Sequence, residues 1–251
     1  MRSILLCEGV DDAYILGYFL YKTSGWHLKA QEELSELYSL PKKKYRKQNI
    51  DVYVKDDQRL AIWSAGGKDS FLDAYGFVKY VNENHPNQGI DQLIIMTDRD
   101  KDQISDCLAR MQNELRIKGI DISDLQNKRK NCYRYQDEGE TYELSVIPLI
   151  IPFDMEGALE TVLITGLSNL SEENAYVVEK ANEYIRRLID EGQLRTYLQH
   201  ERLILKAKFS SVIAVINPER STTTYDRVLR AYDWEEQPSV KEHFEVLNEW
   251  I

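Results

Sequence analysis

The chain has 251 residues, 43% of them hydrophobic, and a formal net charge of −10. That length fits one large domain or two small ones, and the composition is neither disordered nor collagen-like. The acidic balance excludes binding to duplex DNA by bulk charge alone, so contact with nucleic acid requires local basic patches, a divalent metal or a partner. No apolar run reaches the roughly 20 residues of a membrane helix. The opening MRSILLCEGVDD turns acidic too early for a signal peptide. The expected protein is cytoplasmic, with no membrane partner. Cys7, Cys107 and Cys132 form no CxxC pair, and the four histidines are scattered. Reduced thiols and no zinc site are expected.

The first half alternates strand and helix. SILLC (3–7) reads as a buried strand, and DAYILGYFLY (12–21) as a helix with Asp11 and Asp12 in its first turn. Residues 23–50 are irregular and contain the amphipathic KAQEELSELYSL and the basic KKKYRKQ. DVYVKDDQRLAIWSA (51–65) reads as two strands around Asp56-Asp57-Gln58, and DSFLDAYGFVKYVNE (69–83) as a helix. DQLIIMTDRDKD (91–102) is a continuous apolar strand ending in acid, as a central parallel strand should be. QISDCLARMQNELRIKG is the next helix, and NCYRYQ and TYELSVIPLII are two further strands around DEGE. From about residue 155 the pattern is helical: EGALETVLITGL, EENAYVVEKANEYIRRLID, RLILKAKFSSVIAVI and VKEHFEVLNEWI. The expected fold is α/β, a mostly parallel Rossmann-like sheet flanked by helices, over 1–153 with an insertion at about 23–50. A mainly helical part over 154–251 is expected to pack on it. SAGGKDS lacks P-loop spacing.

Three acidic places stand out. Glu8 precedes Gly9 at the carboxyl end of the first strand, where open α/β sheets bind ligands. Asp12 can face the same point, and Asp11 is the better candidate for helix capping. Asp98 and Asp100, on extended backbone, would point the same way and repel unless a cation lies between them. A solvated loop is an equally good reading of that pair, and Asp102 reads as a helix cap or a further ligand. In PFDMEGALETVLI, Glu156 and Glu160 share a helical face. Glu160 lies among apolar residues, where an unpaired charge is costly. Glu156 and Asp154 equally fit the charge preference of a helix start.

A strand ending Glu8-Gly9, with Asp12, followed by a strand ending Asp98-Arg99-Asp100, resembles the Toprim domain of topoisomerases, primases and related nucleases. Gly157-Ala158-Leu159-Glu160 resembles the helix-borne glutamate of its OLD-like branch and of small stand-alone Toprim proteins of uncharacterised function. LKAKFSSVIAVINPE resembles the Lys-rich end of those stand-alone proteins. The resemblance implies Mg2+-dependent (or Mn2+-dependent) phosphodiester chemistry on DNA or RNA. Glu8 would be acid/base and metal ligand, Asp98 and Asp100 metal ligands, and Asp12 and Glu160 the ligands of a second metal. The chain has no primase zinc motif, and its sixteen tyrosines offer no topoisomerase motif, which leaves a nuclease. The resemblance also implies a separate ATPase partner, since no P-loop is present, and a role in phage defence. A homo-oligomer is compatible with it. The other function class compatible with the fold is a non-catalytic Toprim scaffold for DNA repair or defence.

Two basic stretches interleave cations with tyrosines. One holds Lys42, Lys43, Lys44 and Arg46, the other Arg129, Lys130 and Arg134. They offer phosphate contacts and stacking, although ordinary solvated loops have the same composition. Gly66-Gly67-Lys68 opens a helix and reads either as a phosphate contact through Lys68 or as a plain loop.

Overall fold

In the computed structural model the described residues are 1–29, 49–84, 89–137, 139–192, 196–221 and 225–251. They form two compact units. The first comprises Met1–Thr97, Asp102–Ile150 and Leu247–Ile251, and the second Asp98–Lys101 and Ile151–Val246.

The first unit is built on a seven-stranded sheet: β1 (Arg2–Cys7), β2 (His27–Leu28), β3 (Asn49–Lys55), β4 (Gln58–Ser64), β5 (Gln92–Asp98), β6 (Asn131–Asp137) and β7 (Glu140–Ile151). Their spatial order is β2-β3-β4-β1-β5-β7-β6. At the centre, β1 runs parallel to both β4 and β5. The pairs β2–β3, β3–β4 and β6–β7 are antiparallel, so hairpins close both sides. The parallel centre was legible as unbroken apolar runs, because strands buried on both faces cannot alternate with polar residues. The expected α/β class, with its parallel central sheet, flanking helices and helical C-terminal part, is what the chain adopts.

Side-chain alternation divides the sheet into two faces. Ile4 and Leu6 share a core with Ala61, Trp63, Leu93 and Ile95. On this face lie α2 (Phe71–Asn84), through Phe71, Ala74, Tyr75 and Val78, and α3 (Ile104–Ile117), through Cys107, Met111 and Leu115. Helix α1 (Val10–Ser24) packs on the other face. There Gly17 leaves room for the Tyr53 ring, which a Cβ at that position would strike. From β1 the chain passes through α1 to the β2–β4 side, and from β4 through α2 to β5, on the opposite side of β1. The direction of winding therefore reverses between β1 and β5, and in open α/β sheets that reversal opens a crevice at the carboxyl ends of the strands.

The second unit is helical: α4 (Leu159–Ser168), α5 (Glu172–Asp190), α6 (Glu201–Ile216), the short α7 (Pro218–Ser221) and α8 (Tyr225–Leu229), and α9 (Pro238–Phe244). Helices α4, α5 and α6 pack on one another and α9 packs on α4. Leu163, Leu167, Leu205, Trp234 and Phe244 are buried within this unit. The sequence predicts one helix over VKEHFEVLNEWI. The structure makes two, α9 and α10 (Leu247–Trp250), and returns α10 to the first unit, where the Asn248 side chain accepts a hydrogen bond from Thr23 at 3.1 Å.

Tyr75 is fully buried under the sheet, and its hydroxyl has no hydrogen-bond partner among the described residues. Burial raises the phenol well above its ordinary pKa. A buried hydroxyl that makes no bond costs free energy, so Tyr75→Phe should be neutral or stabilising, by up to about 1 kcal/mol. A urea-unfolding comparison tests this; a loss of more than about 1 kcal/mol would show that the hydroxyl has a partner.

Candidate functional site

The carboxyl end of β1 is a local construction. The carbonyl of Glu8 accepts the amide hydrogens of both Gly66 and Gly67, each at 2.9 Å, and the Cys7 carbonyl accepts that of Ala65 at 2.9 Å. The loop after β4 is thereby fastened to the loop after β1. Lys68 follows directly, and its ammonium lies 3.5 Å from Glu8 Oε1. The Glu8 carboxylate is 5% exposed and also accepts the Thr97 hydroxyl, from β5, at 2.8 Å. Glu8 and Thr97 continue the residue alternation of Ile4–Leu6 and Leu93–Ile95, which places both on the α2–α3 side of the reversal point. With two glycine amides already donating to Glu8, the phosphate-binding role considered for this loop reduces to the Lys68 side chain. Thr97 was not singled out from the sequence; the signal was a lone polar residue ending an apolar strand in register with Glu8.

Asp12 holds the first turn of α1, with its Oδ2 accepting the Gly9 amide at 2.7 Å. That bond pins the Glu8-Gly9 corner and gives Asp12 a capping role where the sequence suggested Asp11. Asp102 pairs with Arg110 at 2.9 Å, and Arg110 also reaches the sulfur of Cys107 at 3.6 Å. Burial raises both the Cys107 thiol and the Glu114 carboxyl, nearby along α3.

The remaining acidic candidates belong to the second unit. The extended backbone expected through Asp98-Arg99-Asp100 stops at Asp98, the last residue of β5, because Asp100 has φ 55°. Aspartate tolerates this left-handed conformation better than most residues, so the two side chains do not share the alternation of a strand. Asp100 instead exchanges two 2.7 Å backbone hydrogen bonds with Gly157. Gly157 has φ 141°, and a Cβ there would collide with the Thr161 side chain. Asp98 Oδ1 accepts the amide of Leu159, the first residue of α4, at 3.0 Å. Ala158, at the cap position, has no side chain able to do this. Asp98 therefore caps α4 from a distance of 61 residues in sequence. Glu160, 5% exposed, pairs with Lys206 of α6 at 2.9 Å. Glu156 is exposed, and its negative charge contributes to raising the Lys101 ammonium, less than the closer Glu201 does.

Among the described residues no three Asp, Glu, His or Cys side chains form a group able to hold a metal by themselves. The donor chemistry available is carboxylate oxygen, which suits Mg2+, an ion that takes one or two carboxylates and keeps its waters. Lys42, Lys43, Lys44 and Arg46 lie outside the described residues. Arg129 and Lys130 are exposed ahead of β6, and Arg134 pairs with Glu143 at 3.3 Å. Beside them Tyr133, Tyr135 and Tyr142 stack at centroid spacings of 5.9 and 5.5 Å.

Residues 2–249 match the model of the family described as "Protein of unknown function (DUF3226)". The chain belongs to that family. DUF3226 membership covers both compact units and carries no stated activity. No curated protein matches the chain. A crystal structure of a hypothetical protein, PH0156, from Pyrococcus horikoshii OT3 is similar at 17% identity and a TM-score of 0.46, covering 92% of this chain and 99% of that one.

Lys206→Ala leaves Glu160 buried without its cation and should cost about 1–3 kcal/mol in urea unfolding. Adding Glu160→Gln to it should recover a large part of the loss, whereas strictly additive losses would show that the pair is not coupled. Glu114, with its pKa raised in the folded state, holds its proton more tightly there than in the unfolded chain. Stability is therefore lost as pH rises from the unfolded value, about 4.3, through the raised folded one. Glu114→Gln should match wild type below that window and exceed it above; an unchanged difference across pH would refute the assignment.

Proposed function

We propose that this chain catalyses Mg2+-dependent or Mn2+-dependent hydrolysis of phosphodiester bonds in DNA or RNA, as a Toprim-like nuclease. The observation that carries the reading is Glu8. It is a buried carboxylate at the carboxyl end of the central parallel strand, at the reversal of winding, with a threonine hydroxyl and a lysine ammonium beside it. Buried charge at that edge is costly to maintain and is where α/β sheets carry their chemistry. The order of Glu8-Gly9 and Asp98-Arg99-Asp100 supports the same reading, as do the exposed Arg129 and Lys130 beside the stacked tyrosines.

In this reading Glu8 would be a metal ligand, and the resemblance implies that Asp98 and Asp100 would be ligands too, with Asp12 and Glu160 those of a second ion. A bound divalent ion would supply Lewis acidity and lower the pKa of an attacking water. Glu8 accepts or relays the proton of that water, Thr97 fixes the orientation of its carboxylate, and Lys68 offsets its charge and meets substrate phosphate. The OLD-like resemblance extends the proposal to a separate ATPase partner and a phage-defence role.

A second reading has its own observation. Glu8 and Glu160 are each paired with a lysine, and Asp12 and Asp98 each hold a helix start, so these carboxylates have structural work without any metal. A non-catalytic scaffold would retain them for that reason.

Cleavage of plasmid, single-stranded DNA and tRNA with Mg2+ or Mn2+ separates the two. The nuclease reading expects Glu8→Gln, Asp98→Asn and Asp100→Asn to lower the rate by about 100-fold or more. Equal rates for wild type and Glu8→Gln would remove Glu8 from the chemistry. No cleavage of any substrate by wild type, with ATPase added, would favour the scaffold.

A further inference from the structure

Beside the Glu8–Lys68–Thr97 group, on the α2–α3 side of the sheet, a small cleft is lined by Lys68, Thr97, Cys107, Arg110 and Glu114, with Phe71, Tyr75 and Met111 as its apolar wall. Its volume is about 20 Å³, room for roughly one water-sized group and for neither a base nor a sugar. Two of its five polar lining residues are cations, in a protein whose net charge is −10.

Arg110 is held rather than free-swinging. One guanidinium nitrogen donates to Asp102 at 2.9 Å and another to the Cys107 sulfur at 3.6 Å. A guanidinium has five N–H donors in a planar fork that matches phosphate oxygens, so these two contacts leave it donors for a ligand. The nearby glycine amides cannot serve as the anion cradle, because those of Gly66 and Gly67 donate to the Glu8 carbonyl. Glu114 opposes an anion in the cleft from its lining, as do Glu8 beside Lys68 and Asp102 beside Arg110. Burial raises the Glu114 carboxyl, which favours its neutral form and lessens its opposition.

The geometry points to this cleft as a subsite for one phosphate oxygen of a nucleic-acid strand, with Arg110 as the phosphate-binding residue and Lys68 shared between that phosphate and Glu8; the inference rests on the nucleic-acid reading above. A slot of this size grips the backbone and reads no base, so it sets the position of the strand without setting sequence preference. Arg110 was not among the basic residues singled out from the sequence, because it lies alone in a helical pattern.

The test uses the full chain, isotope-labelled at the arginine side chains, titrated with inorganic phosphate and with a 5′-phosphorylated thymidine tetranucleotide. The Arg110 Nε–H resonance should shift with both. Arg110→Ala should weaken tetranucleotide binding about five- to tenfold, and Arg110→Lys by less, because the charge survives but the fork does not. Lys241→Ala, at a half-buried lysine of the second unit that pairs with Glu236, should bind like wild type. Arg110 is exposed, so equal melting temperatures will confirm that the variants fold. Equal binding by wild type and Arg110→Ala, or no binding of either probe by wild type, overturns the subsite. Cleavage separates the two inferences. Arg110→Ala that binds weakly beside a wild type that cuts nothing keeps the subsite and removes the nuclease. Metal-dependent cutting with an unchanged KM in Arg110→Ala keeps the nuclease and removes the subsite.

Discussion

A carboxylate buried at the end of a central parallel strand has to be neutralised and hydrogen-bonded, or it will not stay folded in place. In the first unit the surroundings of Glu8 meet that demand in two ways. The backbone fastens the loop after β4 to the Glu8 carbonyl, and that fastening delivers Lys68 to the carboxylate. The neighbouring strand β5 contributes the Thr97 hydroxyl on the same face. Chain, sheet order and charge meet at one residue, which is why the carboxyl edge of β1, and not either hairpin, is the chemically loaded part of this unit.

The second unit handles its acidic residues by different means. Glu160 is neutralised by a lysine from a different helix, a full counter-charge. Asp98 is stabilised by the unsatisfied amide at the start of α4, where a helix presents partial positive charge. The Asp100–Gly157 bridge, at a glycine with no room for a Cβ, holds the backbone next to the Asp98 contact. An aspartate that caps a helix and a glutamate that pairs with lysine have structural reasons to exist. A capped carboxylate keeps lone pairs on its other oxygen, whereas the ammonium beside Glu160 opposes any cation brought to that side chain.

Much of the fold could be read from periodicity. Unbroken apolar runs marked β1 and β5, turn residues marked the β3–β4 and β6–β7 hairpins, and 3.6-residue spacing marked the long helices. What periodicity could not show was where a short element stops. The helix expected across the C-terminal residues divides between two units, and the two-residue β2 has no pattern to detect. Glu8 was legible because a glycine follows it at a strand end. Its partners were not, since Lys68 and Thr97 meet it only at sequence separations of 60 and 89. Asp98-Arg99-Asp100 shows the limit of local reasoning most clearly. Strand alternation forecast two side chains on one face, and a left-handed Asp100 ended the strand first.

The proposed activity requires Glu8 to belong to a divalent-cation site and not merely to a buried ion pair. Paramagnetic broadening measures this without requiring a substrate. Mn2+ added substoichiometrically to isotope-labelled protein should selectively broaden the amide resonances of Glu8, Gly9 and Thr97, and Glu8→Gln should abolish that selectivity. Broadening spread evenly over exposed carboxylates, or identical in wild type and Glu8→Gln, would contradict the account.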